Sequence, residues 1–96
     1  MKLMTEEIKK KMPKLGETSD QVDPIAIVKF FNPCGIGTWF ATEFDPDTGI
    51  FFGKADLGFP ELGSFSLQEL EGYKGPLGLG IERDLYFTPK PLSKCK

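Results

Sequence analysis

The chain has 96 residues, 40% of them hydrophobic and nine of them Phe, enough to build one core and unlike a disordered tail. It contains no histidine, which excludes the Ser-His-Asp triad, the Cys-His pair and the common zinc sites. The net charge of −2 conceals three zones: residues 1–14 and 89–96 are each +3, while residues 15–88 set twelve acids against four bases, a net −8. Such an acidic body is a poor primary groove for DNA or RNA, because phosphate contacts supply most non-specific affinity.

Eleven Gly and eight Pro favour turns and short elements. Thr5 caps a short helix with Glu6 and Glu7 in its first turn and Lys9 to Lys11 in its last, an order that suits the helix dipole. Leu3, Ile8, Met12 and Leu15 lie near one stripe, and Pro13 ends the helix. Residues 16–24 read as a polar loop. Ile25–Phe31 is β-branched and aromatic, hence a strand. Asn32-Pro33-Cys34-Gly35 is a turn, Thr38–Phe44 the second strand, Asp45–Gly49 a hairpin loop and Ile50–Asp56 the third strand. Pairing Phe44 with Ile50 puts Trp39, Ala41, Glu43, Phe51, Gly53 and Ala55 on one face. Both faces are then partly apolar, so something has to cover the second in part: a helix, the long loops or a partner; cover by the chain itself is the commoner case, and a spare apolar face would allow a dimer. Leu57–Gly63 reads as a loop. Ser66-x-x-Glu69 is a capping box that opens a short helix over 66–73, stopped by Gly75-Pro76. Arg83–Phe87 reads as a last strand, closed by Pro89 and Pro91.

These elements predict an α+β fold: a small antiparallel sheet of three to five strands, a helix at the N-terminus and a second near 66–73. A single domain is expected, with a helix and polar loop in 1–24, a compact body in 25–88 and a flexible basic tail in 89–96. Cys34 and Cys95 cannot form a four-ligand metal site, and Cys95 sits near a frayed end. The first residues lack the apolar run of a leader, and no run approaches the ~18 apolar residues of a membrane span. A reducing cytoplasm is the expected compartment.

Several motifs fail on inspection. Asp45-x-Asp47-x-Gly49 starts like a calcium loop, but Ile50 stands where the loop needs Gly. Lys54 lacks the acid two residues before it that a Mg²⁺ nuclease hairpin requires. Gly75-x-x-Gly78-x-Gly80 has no P-loop lysine and precedes a strand. No cofactor and no metal are therefore expected. The most unusual stretch is 82–87. On a strand, Arg83, Leu85 and Phe87 share one face and Glu82, Asp84 and Tyr86 the other. The sole arginine then needs carboxylate or carbonyl acceptors, with Asp56 and Glu61 the leading candidates. Either an ion pair fixes the loop, or an acidic and aromatic pocket surrounds Arg83. Trp39 and Tyr86 form a possible stacking surface for a base or peptide. Glu43, Glu82 and Asp84 would repel phosphate there, so core packing is the better reading.

Three blocks carry a family resemblance: Thr38-Trp39-x-Ala41-Thr42-Glu43-Phe44-Asp45-Pro46; Asp56-Leu57-Gly58-x-Pro60-Glu61-Leu62-Gly63-x-x-Ser66-Leu67-x-Glu69-Leu70-Glu71; and Gly75-x-Leu77-Gly78-Leu79-x-x-Glu82-Arg83-Asp84-Leu85-Tyr86-Phe87. Together they resemble a family of small bacterial and archaeal proteins known only as a domain of unknown function, similar to what is carried on plasmids and conjugative elements. The resemblance implies an accessory role in mobile-element biology and transfers no catalytic residue. The expected function is a non-catalytic module whose acidic body binds a basic protein, such as one that itself binds nucleic acid. Two other readings stand beside it. One is direct nucleic-acid binding through the basic ends and sheet aromatics. The other is an enzyme that uses Asp56, Glu61, Glu82 and Asp84 as acid–base or metal groups.

Overall fold

In the computed structural model, which describes residues 2–96, an antiparallel five-stranded sheet forms the centre. Its strands are β2 (Val28–Phe31), β3 (Thr38–Asp45), β4 (Ile50–Asp56), β5 (Pro60–Ser66) and β6 (Glu82–Arg83), in the spatial order β5-β4-β3-β2-β6. A ribbon of β1 (Ile25–Ala26) and β7 (Lys90–Pro91) lies beside it. Two short α-helices, α1 (Glu6–Lys11) and α2 (Leu67–Gly72), and two single-turn 3-10 helices, Pro76–Gly78 and Leu92–Lys94, complete the regular structure. The fold is mixed α+β and mostly sheet.

Both helix starts follow from their caps. Thr5 Oγ1 accepts from Ile8 N, and Ser66 Oγ accepts from Glu69 N, each satisfying a donor that the first turn leaves free. The β3–β4 hairpin follows from its loop. Asp45 accepts from Asp47 N and Thr48 Oγ1, and Gly49 takes the left-handed φ of +74° that closes it.

The register of that hairpin departs from the simple alternation. Trp39 opposes Ala55, Phe40 opposes Lys54 and Ala41 opposes Gly53, but a bulge between Ala41 and Glu43 then shifts the pairing by one. Phe44 consequently faces Phe51, and Glu43 moves to the other side of the sheet. The energetics favour this shift. Burying Phe44 is worth about 2–3 kcal/mol, whereas an unpaired carboxylate among Phe rings costs several. The bulge demands a close approach of the strands. A Cβ on Gly53 would lie 1.9 Å from the Phe40 carbonyl oxygen, so only glycine fits there.

One face of the sheet carries Val28, Phe30, Trp39, Ala41, Phe44 and Phe51, and it holds the main core. The Phe51 ring meets Phe44 at 4.5 Å and Phe30 edge-on at 5.3 Å. Leu3, Met4 and Met12 from the N-terminal segment, Leu70 of α2, and Ile81 cover this face. A second cluster forms on the opposite face, where Phe40 packs against Ala26, Leu92, Cys95 and Phe87. The chain thus covers both faces, as the weak polar alternation of the strands required.

Four expectations need correction. Residues 57–63 are not all loop: after a turn at Gly58 the chain re-enters the sheet as β5, because Pro60 stands first on an edge strand, where its missing N–H costs little. The run Ile25–Phe31 is split at Ile27, whose N–H turns to the Ala41 carbonyl at 2.8 Å. The last strand stops at Arg83, since Asp84 captures the N–H of Tyr86 and turns the chain. Cys95 is buried, not frayed. Lys54 Nζ holds its carbonyl at 2.6 Å, Asp23 holds Ser93, and burial pushes its thiol pKa up.

Candidate functional site

The residues singled out from sequence do not converge. Arg83 Nη1 donates to the carbonyls of Lys2 and Leu3, at 2.8 and 2.9 Å, and so ties the N-terminal segment to the β6 edge. Carbonyl oxygens, one of the two acceptor classes expected, are among its partners. The sheet order separates it from the acids proposed for it: Asp56 is on β4 and Glu61 on β5, at the far side. With strands about 4.8 Å apart, β5 and β6 are about 19 Å from each other. Asp56 closes the turn after β4 by accepting from Gly58 N. Glu61 is exposed on β5, opposite Ala55. Glu82 lies on β6 opposite Phe31, and Asp84 pairs with Lys29 at 3.6 Å. Trp39 is 9% exposed within the main core, while Tyr86 is 94% exposed on the segment after β6. They form no common stacking surface.

Glu43 has a larger structural part than the sequence suggested. The bulge turns it away from the core, and it is 3% exposed. Burial raises its pKa, but three hydrogen bonds outweigh that effect. Gly16 N and Thr18 N donate at 2.8 Å each, and Thr18 Oγ1 donates as well. The carboxyl is held below its ordinary value. Glu43 thereby pins the 15–24 loop onto the second face, and Phe44 N adds a 2.9 Å bond to the Pro13 carbonyl. At its other end the loop is fixed by Asp23, which accepts from both N and Oγ of Ser93 and is held below its ordinary value by those bonds.

A groove of about 730 Å³ lies between this loop and the sheet. Phe52 and Lys54 of β4 and Leu62 and Ser64 of β5 line it on the sheet side, and Leu15 and Val22 line it on the loop side. The lining is mainly apolar, with Glu43, Asp23 and Lys54 all engaged in structural bonds at its margin. A second hollow of about 420 Å³ lies on the core side, bounded by Trp39, Phe65, Leu70, Tyr73 and Ile81. The groove is not legible in the sequence, because residues 16–24 and 57–63 both have the composition of connections. The one signal was Glu43, an acid in the middle of an apolar strand.

No set of three His, Cys, Asp or Glu side chains is arranged to hold a metal ion among the described residues. No helix among them is long and apolar enough to cross a membrane. The arrangement offers a mainly apolar recess with Asp23, Glu43 and Lys54 at its margin. No curated protein and no solved structure matches the chain. The model of one family, described as a protein of unknown function (DUF2958), matches residues 3–95, and the protein belongs to that family.

Proposed function

We propose that the protein is a non-catalytic binding module whose acidic body receives an apolar and basic segment of a partner protein, in the cytoplasm of its host. The observation that carries this reading is the groove over Phe52 and Leu62, bordered by a loop that bears Glu17, Asp20 and Asp23. Apolar lining supplies contact area, and the net −8 of residues 15–88 favours a basic partner and speeds encounter. An accessory role in the biology of plasmids and conjugative elements, with a nucleic-acid-binding protein as the natural target, belongs to this reading. Affinity capture from native lysate, split into nuclease-treated and untreated halves, tests the reading. A basic protein retained after nuclease supports it. Loss of every partner after nuclease contradicts it and favours direct nucleic-acid contact through the lysines of α1 and the C-terminal residues.

A further inference from the structure

The two edges of the sheet are unlike. β6 has two residues, and Arg83 secures the N-terminal segment along it. β5 has seven residues, pairs with β4 in an unbroken register from Ser66 to Pro60, and has no other strand partner among the described residues. Edge strands are usually blunted by lysines, bulges or shortness. β5 carries no lysine and no bulge; its proline stands only at the first position. Leu62 is 65% exposed on it, and Phe59 just before it is 81% exposed.

The cavities flank this same strand. Leu62 and Ser64, opposite Lys54 and Phe52, border the groove on one face. Phe65, opposite Phe51, borders the hollow on the other. We propose that β5 accepts a further strand: an extended, basic segment of a partner protein that pairs along Pro60–Ser66 and lays alternate side chains into the groove and the hollow. Side chains of a strand alternate between faces, so an added strand reaches both recesses at once. Backbone bonds supply affinity, and the recesses supply selection. The charge of the occupant follows from the surroundings. Glu61 on β5, Glu69 on α2 and the acids of the 15–24 loop favour lysines or arginines, whereas a second copy of this chain, itself net −2, would set the same acids against each other. This proposal rests on the binding-module reading and adds to it the place and the mode of attachment.

The test uses the full chain and an acetylated peptide of about seven residues, the length of β5, with lysine and valine in alternation. Two twins carry N-methyl groups on the odd or on the even residues, and a third replaces lysine by glutamate. Backbone amide shifts and a binding titration are read. The expected result is binding of the parent peptide, with shifts at residues 60–66 and around the groove. One methylated twin binds like the parent, while the other weakens at least about tenfold, because only one edge of the peptide bonds to β5. The glutamate peptide does not bind, and Leu62→Lys weakens the parent about tenfold without loss of fold. Equal binding of both methylated twins overturns strand addition and leaves the binding-module reading standing. So do shifts confined to the 15–24 loop. Failure of every peptide while lysate capture persists overturns strand addition alone. Concentration-dependent dimers with shifts at β5 overturn it in favour of a second copy.

Discussion

Glu43 stabilises the fold through a charge that acid removes. Its pKa is lowered in the folded state, so its contribution is complete above the ordinary value of 4.5 and disappears as pH falls through the lower folded value. Asp23 and Asp45 are also held low by hydrogen bonds, and the sign is the same for each. The protein should therefore show a flat denaturation midpoint at neutral pH and a falling one in acid, read by urea titration across that range. Glu43→Gln should cost about 2 kcal/mol at pH 7, since the amide keeps one acceptor oxygen and sets its NH2 donor against either Gly16 N or Thr18 N, and it should flatten part of the acid slope. An unchanged slope would remove Glu43 from this role. Gly53→Ala is the sharper change. A methyl group 1.9 Å from the Phe40 oxygen has to push the bulged strands apart, and a loss of about 3 kcal/mol or a failure to fold is expected by the same titration.

At the scale of elements, what was legible in the sequence were the parts that local chemistry decides. Thr5 and Ser66 are caps by residue type alone, and Pro46 with Gly49 specifies a hairpin whatever surrounds it. Ser66→Ala should accordingly lower stability by about 1 kcal/mol while leaving the sheet intact, as judged by urea titration beside circular dichroism. Parts decided by distant neighbours were not legible. The stretch Pro60-Glu61-Leu62-Gly63 has the composition of a loop, and only β4 makes it a strand. The bulge leaves no mark in sequence except an acid that the simple register would bury among Phe rings. The end of the chain looks like a basic tail because its lysines outnumber its apolar residues. Yet Leu92 and Cys95 close over Phe40, and Lys54 ties two carbonyls of that segment. Leu92→Ala should cost about 2–3 kcal/mol. A truly loose tail would make it neutral. The groove was hidden for the same reason, since it exists only where a loop pinned by Glu43 meets a strand that sequence reads as a connection.

For the whole molecule, charge and shape act on different steps of association. The acidic body extends its field over roughly the Debye length, about 10 Å at 0.1 M salt, so it influences approach more than the final contact. The groove and the β5 edge act only after contact, where apolar area and backbone bonds resist separation. The two contributions should therefore separate in kinetics when the alternating lysine–valine peptide is immobilised and the protein flows over it. Raising salt from about 50 to about 500 mM should slow association about tenfold and change dissociation less than about twofold. Leu62→Ser should do the reverse, speeding dissociation several-fold with association nearly unchanged, because among variants of one interface most affinity differences lie in the off-rate. A salt effect carried mainly by dissociation would place the charges inside the contact instead of around it. That result would shift the binding surface from the apolar groove to the acids of the 15–24 loop, Glu17 and Asp20 foremost.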